Sequence, residues 1–238
     1  MVTFKDIKEA YQILQPKIRK TPLERSKTFS NFLKANVYLK EENLQTTGSF
    51  KIRGAYNKIY HLTEKEKKQG VVCASAGNHA QGVAHASTLM GVKSTVYMPI
   101  YTSPAKVIAT KSYGAHVVLE GSTYDDAAVA AIKFAEEKKL TFVHAFNDDY
   151  VIAGQGTIGI EIFEELPTVD AVIIPIGGGG LIGGIALALK TLKPTVQIIG
   201  VEAEGAQSMK LSLEQHKIIP LKSIMTIADG IAVKTPKD

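Results

Sequence analysis

Lys51 sits among small or flat neighbours, Gly48-Ser49-Phe50-Lys51-Ile52-Arg53-Gly54, just before an apolar-periodic segment. A lysine that forms an imine with an aldehyde must be oriented, partly desolvated and free of bulky neighbours, and this stretch offers that setting. A glycine-rich segment downstream, Ser75-Ala76-Gly77-Asn78-His79-Ala80-Gln81-Gly82, reads as a loop between the apolar run Val71-Val72-Cys73-Ala74 and a helix at Val83-Ala84-His85-Ala86. Exposed amides at that helix start, with the Ser75 hydroxyl, suit a carboxylate, and Asn78 can donate to a phenolic oxygen. His79, inside a tight loop, reads more readily as satisfying local backbone groups than as catalytic.

A second loop, Gly177-Gly178-Gly179-Gly180, lies between Ala171-Val172-Ile173-Ile174-Pro175-Ile176 and an apolar segment that begins Leu181-Ile182-Gly183-Gly184. The order is strand, bare loop, helix. Glycines remove the side chains that hold an anion away, and free amides at a helix start carry partial positive charge, so the loop has the form of a phosphate cradle. Gly178, Gly180 and Gly183 also match G-x-G-x-x-G, with Glu202 about twenty positions on, the spacing of a nicotinamide dinucleotide site. Dinucleotide fingerprints usually open their domain, whereas here a long α/β segment with its own glycine loop comes first.

An imine-competent lysine, a phosphate cradle and a carboxylate loop together meet the needs of pyridoxal phosphate and an amino acid. On these residues the chain resembles the fold-type II pyridoxal-phosphate enzymes, from near Lys5 to about Val233. Further markers are Thr21-Pro22-Leu23, Leu39-Lys40-Glu41-Glu42-Asn43-Leu44-Gln45, Ala153-Gly154-Gln155-Gly156-Thr157 and Ala228-Asp229-Gly230. Within them it is similar to the threonine dehydratases (threonine ammonia-lyases) of the short kind related to serine racemase.

The resemblance implies a lyase that converts L-threonine to 2-oxobutanoate and ammonia, and L-serine to pyruvate. It makes Lys51 the catalytic residue and the covalent anchor of pyridoxal 5'-phosphate, with Phe50 packing on the ring and Asn78 donating to the phenolate oxygen. Gly177, Gly178, Gly179, Gly180 and Leu181 would hold the phosphate. Ser75, Ala76, Gly77, Asn78 and His79 would hold the substrate carboxylate. Burial and the neighbouring Arg53 cation are expected to favour the neutral amine of Lys51, toward a pKa of roughly 7–8. Serine racemases carry an acidic serine where this chain has Ala76, so elimination is expected over racemisation. No metal site is expected, because Glu202 matches one carboxylate of the racemase cation site but Ser208 stands at the second. A serine racemase-like activity, a catalytically impaired fragment and a nicotinamide-dependent oxidoreductase are the alternatives. Family members continue well past the Ala228-Asp229-Gly230 region, so the larger domain is expected to be incomplete at Pro236-Lys237-Asp238, with weak cofactor retention and exposed apolar surface.

Positioning these groups falls to alternating elements. Apolar runs at 71–74, 94–98 and 115–119 alternate with helical patterns at 80–89, 105–113 and 124–138; a further series covers 171–176, 181–192 and 197–201. The fold class is therefore α/β, two open doubly wound domains with ligands at the carboxyl ends of parallel strands. Residues 1–67 with 148–238 are expected to form the larger, cofactor-binding domain and 68–147 the smaller, boundaries that come from the family pattern.

Composition agrees with a globular enzyme: 238 residues, 45% hydrophobic and 21% charged. One cysteine, Cys73 in an apolar strand, argues against a disulfide framework and for a cytoplasmic protein. No apolar run reaches a membrane span. The net charge of +5 is spread over mixed-sign faces such as Glu64-Lys65-Glu66-Lys67-Lys68, which argues against a nucleic-acid partner. The expected partners are a small amino-acid substrate and further copies of the chain, as a dimer or tetramer.

Overall fold

A computed structural model describes residues 1–236; Lys237 and Asp238, the end of the expected larger domain, lie outside the described residues. The chain opens with helix α1 (Phe4–Leu14), strand β1 (Leu23–Arg25), helix α2 (Lys27–Leu33) and strand β2 (Tyr38–Lys40), the two strands pairing antiparallel. Helices α3 (Lys51–Tyr60) and α4 (Glu64–Gln69) follow. Four βα steps come next: β3 (Val71–Ala74), α5 (Asn78–Leu89), β4 (Ser94–Met98), α6 (Pro104–Ser112), β5 (His116–Leu119), α7 (Tyr124–Lys138), β6 (Thr141–Phe142) and α8 (Asp149–Glu165). The chain then forms β7 (Ala171–Pro175), α9 (Gly180–Leu192), β8 (Gln197–Val201) and α10 (Ser208–Gln215).

The middle strands make one parallel sheet in the order β5-β4-β3-β6. Its central strand is buried on both faces, as parallel strands covered by helices must be. Val71 and Cys73 pack into the cluster that holds Val83 and Ala86 of α5, whereas Val72 and Ala74 pack against Ala127, Ala131 and Ala135 of α7. That alternation is the two-residue period of a strand sorting its side chains between layers. Cys73 is fully buried, and burial pushes its thiol up to about 12, leaving an inert core residue.

Helix α8 is the spine of the other half. Asp148 caps it, its carboxylate accepting from the N–H groups of Tyr150 (2.9 Å) and Val151 (3.1 Å). Glycines let its neighbours approach closely. A methyl at Gly154 would stand 2.6 Å from the Arg53 carbonyl oxygen, and one at Gly156 would stand 2.9 Å from that of Gly184. Helices α3 and α9 therefore press backbone to backbone on α8, which keeps Lys51 and the glycine tetrad at fixed separation. No helix was read from sequence at Ala153-Gly154-Gln155-Gly156-Thr157, because glycine is a poor helix former there.

Strands β7 and β8 pair in parallel as a two-stranded sheet. One face packs on the cluster around Ile158, Ile162 and Ile185 through Ile174, while the other exposes Ile173 (67%), Ile199 (43%) and Val201 (45%). No helix among the described residues is long and apolar enough to cross a membrane.

Candidate active site

Lys51 is the first residue of α3, entered through a turn in which Gly48 adopts a φ of +71°. Its amino group donates to the Ala145 carbonyl at 2.9 Å and lies 5.2 Å from the centre of the Phe50 ring. Burial lowers its pKa from 10.5 to about 8, since a single neutral carbonyl does not replace the water an ammonium gives up. The value falls where sequence placed it, but the expected help from Arg53 is corrected. Residues two apart point to opposite sides of a helix, and the Arg53 charge is spent on carboxylates behind α3.

Those contacts are complete. Arg53 is 0% exposed. Its Nε and Nη2 donate to Glu42 at 2.8 Å each, and its Nη1 and Nη2 donate to Glu161 at 2.6 and 3.0 Å. Nη1 also donates to the Thr157 hydroxyl at 3.1 Å. Burial opposes the charge, but these bonds and the two carboxylate charges outweigh it and raise the guanidinium's pKa. Lys40 lies 2.7 Å from Glu161, so two buried cations meet two carboxylates.

The glycine tetrad faces Lys51 across one cavity, lined also by Phe50 and Leu181. Gly179, at φ +95°, bends the chain into α9, a conformation that excludes most side chains. A methyl at Gly178 would run into the Phe146 ring, and one at Gly180 would meet the Phe146 carbonyl oxygen at 2.6 Å. The first N–H groups of α9 have no partner within the helix and turn its positive end toward the cavity. Gly183 has open space where its side chain would lie, so the third glycine of the dinucleotide pattern serves no close packing. Glu202 accepts from the backbone N–H of Met209 (2.9 Å) and Lys210 (2.8 Å), anchoring the start of α10.

The carboxylate loop stands differently from its reading. Helix α5 begins at Asn78, so residues 78–82 are helical and only 75–77 form a loop. Gly77 caps the helix without a side-chain bond, so no polar cap residue marks its start in the sequence. None of residues 75–79 lines the cavity. Ser75 donates its N–H to the Tyr97 carbonyl (3.1 Å), Gly77 donates to the Ser75 hydroxyl (3.2 Å), and Asn78 is exposed. His79 is buried, its Nε2 2.9 Å from the Val143 carbonyl, and burial with the Lys51 charge lowers its pKa to about 3. It is therefore a neutral structural imidazole near neutral pH. Helix α5 still reaches the site, because a methyl at Gly82 would stand 3.0 Å from the Lys51 carbonyl carbon.

Several cavity residues were not singled out as site residues. Phe146 and Ala145 gave no signal, since one acts through a ring over a glycine and the other through a carbonyl. Gln155 accepts from the Gly54 N–H (3.2 Å), and Gly230, Ile231 and Val233 close another wall. Gln155 and Gly230 do lie in the motifs quoted above for the family resemblance.

A desolvated lysine amine facing an anion cradle is the pairing an aldehyde with a phosphate tail requires. Residues 14–238 match the family model for pyridoxal-phosphate dependent enzymes. The chain belongs to that family. Among curated members, the L-threonine ammonia-lyase of Thermotoga maritima is 51% identical over 238 residues, the whole of this chain and 59% of that protein. The chain thus spans less than two thirds of that relative. Among solved members, the processed form of threonine deaminase isoform 2 from Solanum lycopersicum superposes with a TM-score of 0.94 at 42% identity, covering 99% of this chain and 64% of that one. Maize serine racemase gives 0.96 at 35%, covering 100% and 72%. The family's cofactor, pyridoxal phosphate, fits the residues present.

Proposed function

We propose that this chain supplies the catalytic lysine and phosphate cradle of a lyase that dehydrates and deaminates L-threonine to 2-oxobutanoate and ammonia, and L-serine to pyruvate. One observation carries the reading: the Lys51 amine and the glycine tetrad line the same cavity. The names of the Thermotoga and Solanum relatives support the reaction and the substrate.

In this reading Lys51 holds the cofactor covalently, Phe50 packs on its ring, Asn78 donates to its phenolic oxygen, and the N–H groups of Gly177, Gly178, Gly179, Gly180 and Leu181 hold its phosphate. Bound there, pyridoxal phosphate supplies an electron sink for charge developing at the substrate Cα. The Lys51 amine, displaced by substrate, accepts the Cα proton; a pKa near 8 keeps a working fraction neutral near pH 7 and leaves a base strong enough to act. Residues 75–79 hold the substrate carboxylate. Ser75 and Gly77 have their N–H groups engaged, leaving those of Ala76, Asn78 and His79 for the ligand.

Ala76 has no group to protonate the opposite face of Cα, which favours elimination over the racemase reading. The nicotinamide reading is disfavoured by Lys51 in the cavity wall, by the open space at Gly183 and by the engagement of Glu202 with α10. We place the reaction in the cytoplasm, consistent with a single buried cysteine. We assign the chain to a homo-oligomer built from two domains, residues 68–147 forming the smaller. Initial rates on L-threonine, L-serine and D-serine with added pyridoxal phosphate test the activity. 2-Oxobutanoate from L-threonine at the highest rate is expected; racemised serine as the main product would overturn it.

A further inference from the structure

We infer that Arg53 is a positioning residue that aims Lys51 into the cavity by clamping the first turn of α3 from behind. This rests on the reading that Lys51 carries the cofactor. Three observations support it. Lys51 and Arg53 lie two positions apart at the start of one helix, so they leave it on opposite sides. All five N–H donors of Arg53 are used, on three side chains from two separate elements: Glu42 from the turn after β2, and Thr157 and Glu161 from α8. The same turn of α3 lies against α8 with no spare room, a methyl at Gly54 standing 2.5 Å from Gln155 Nε2 and 2.7 Å from the Val151 carbonyl oxygen.

A planar fork satisfied on every donor fixes rotation as well as position, which an ammonium cannot do. Helix α3 cannot turn about its axis without breaking charge-assisted bonds in a dry environment. The direction of the Lys51 side chain is thereby set. Gln155 links the two functions directly, since it accepts the Gly54 N–H on the clamped turn and also lines the cavity.

The test compares wild type with Arg53→Lys, Thr157→Val and Ile7→Val. Ile7 of α1 packs on α8 beside Ala153 and Ile160 and takes no part in the hydrogen bonds of Arg53. The readouts are pyridoxal phosphate affinity, the induced circular dichroism of the bound chromophore, and the fraction of borohydride-trapped label found on Lys51. Arg53→Lys should weaken affinity about tenfold, with reduced dichroism and label lost from Lys51. Thr157→Val keeps both ion pairs and folds even if Arg53→Lys does not; it should weaken affinity about threefold with the same loss of dichroism. Ile7→Val should lower thermal stability and leave dichroism and labelling unchanged. Wild-type signals in a folded Arg53→Lys or in Thr157→Val, or equal loss in Ile7→Val, overturn the inference while the proposed function stands. A wild type that never labels on Lys51 overturns both.

Discussion

Replacing Lys51 with methionine should make the cofactor-free protein more stable at neutral pH. The fall in pKa from 10.5 to about 8 is caused by burial, and at 1.36 kcal/mol per tenfold it corresponds to about 3 kcal/mol of preference for the neutral amine. Allowing for the partial exposure of the residue, about 2–3 kcal/mol of penalty attaches to the ammonium form. The sign follows from proton counts. Between pH 8 and 10.5 the unfolded lysine holds its proton and the folded one does not, so wild-type stability rises with pH through that window. Below pH 8 both states are protonated and the folded state carries the full penalty. Methionine keeps an unbranched chain one atom shorter and removes the charge. The Ala145 carbonyl that loses its donor is partly exposed, so water can replace the bond. In a chain of this size the gain corresponds to about 4–12 °C in melting temperature at pH 7, and it should vanish above about pH 10.5. Thermal melts of both proteins at pH 7 and pH 10.5, monitored by far-ultraviolet dichroism, measure it. Equal melting temperatures at pH 7, or the same difference at both pH values, would refute the claim that Lys51 is desolvated by its site.

Gly54→Ala should destabilise by about 1–3 kcal/mol in urea unfolding, because the new methyl meets Gln155 and the Val151 carbonyl. Gly183→Ala, with open space, should be neutral or slightly stabilising. His79→Gln should leave the pH dependence of activity between 5 and 8 unchanged, since His79 titrates only near 3; a profile that shifts would show that the imidazole takes part. Ile173→Lys, on the bare face of β7, should reduce self-association in sedimentation experiments without altering the far-ultraviolet spectrum.

Strand and helix periodicity was easy to read where neighbours are ordinary. Strands β4 and β8 and helix α7 occupy the residues expected, because short apolar runs bounded by polar or glycine residues and a long helical pattern leave little ambiguity there. Helix α8 was invisible for the reason it matters. Its glycines look like a loop in isolation and pay off only against α3 and α9. The start of α5 was missed because Gly77 offers no polar cap. At the site, Lys51 and the tetrad were legible as unusual surroundings for a lysine and an excess of glycine. The role of Arg53 is not legible, since proximity in sequence suggests a charge effect on Lys51, whereas its charge is paired with Glu42 and Glu161 and burial sets the Lys51 pKa. The Ala145 carbonyl and the Phe146 ring depend on where a connection crosses, which no local pattern records.

The central claim is that Lys51 and the glycine tetrad form one site for an aldehyde bearing a phosphate. Saturating the protein with pyridoxal phosphate, reducing with borohydride and mapping the label by peptide mass spectrometry tests it most directly. The label is predicted on Lys51, and on no residue when inorganic phosphate at high concentration competes for the cradle. Label on another lysine, or labelling of Lys51 that phosphate leaves untouched, would contradict it.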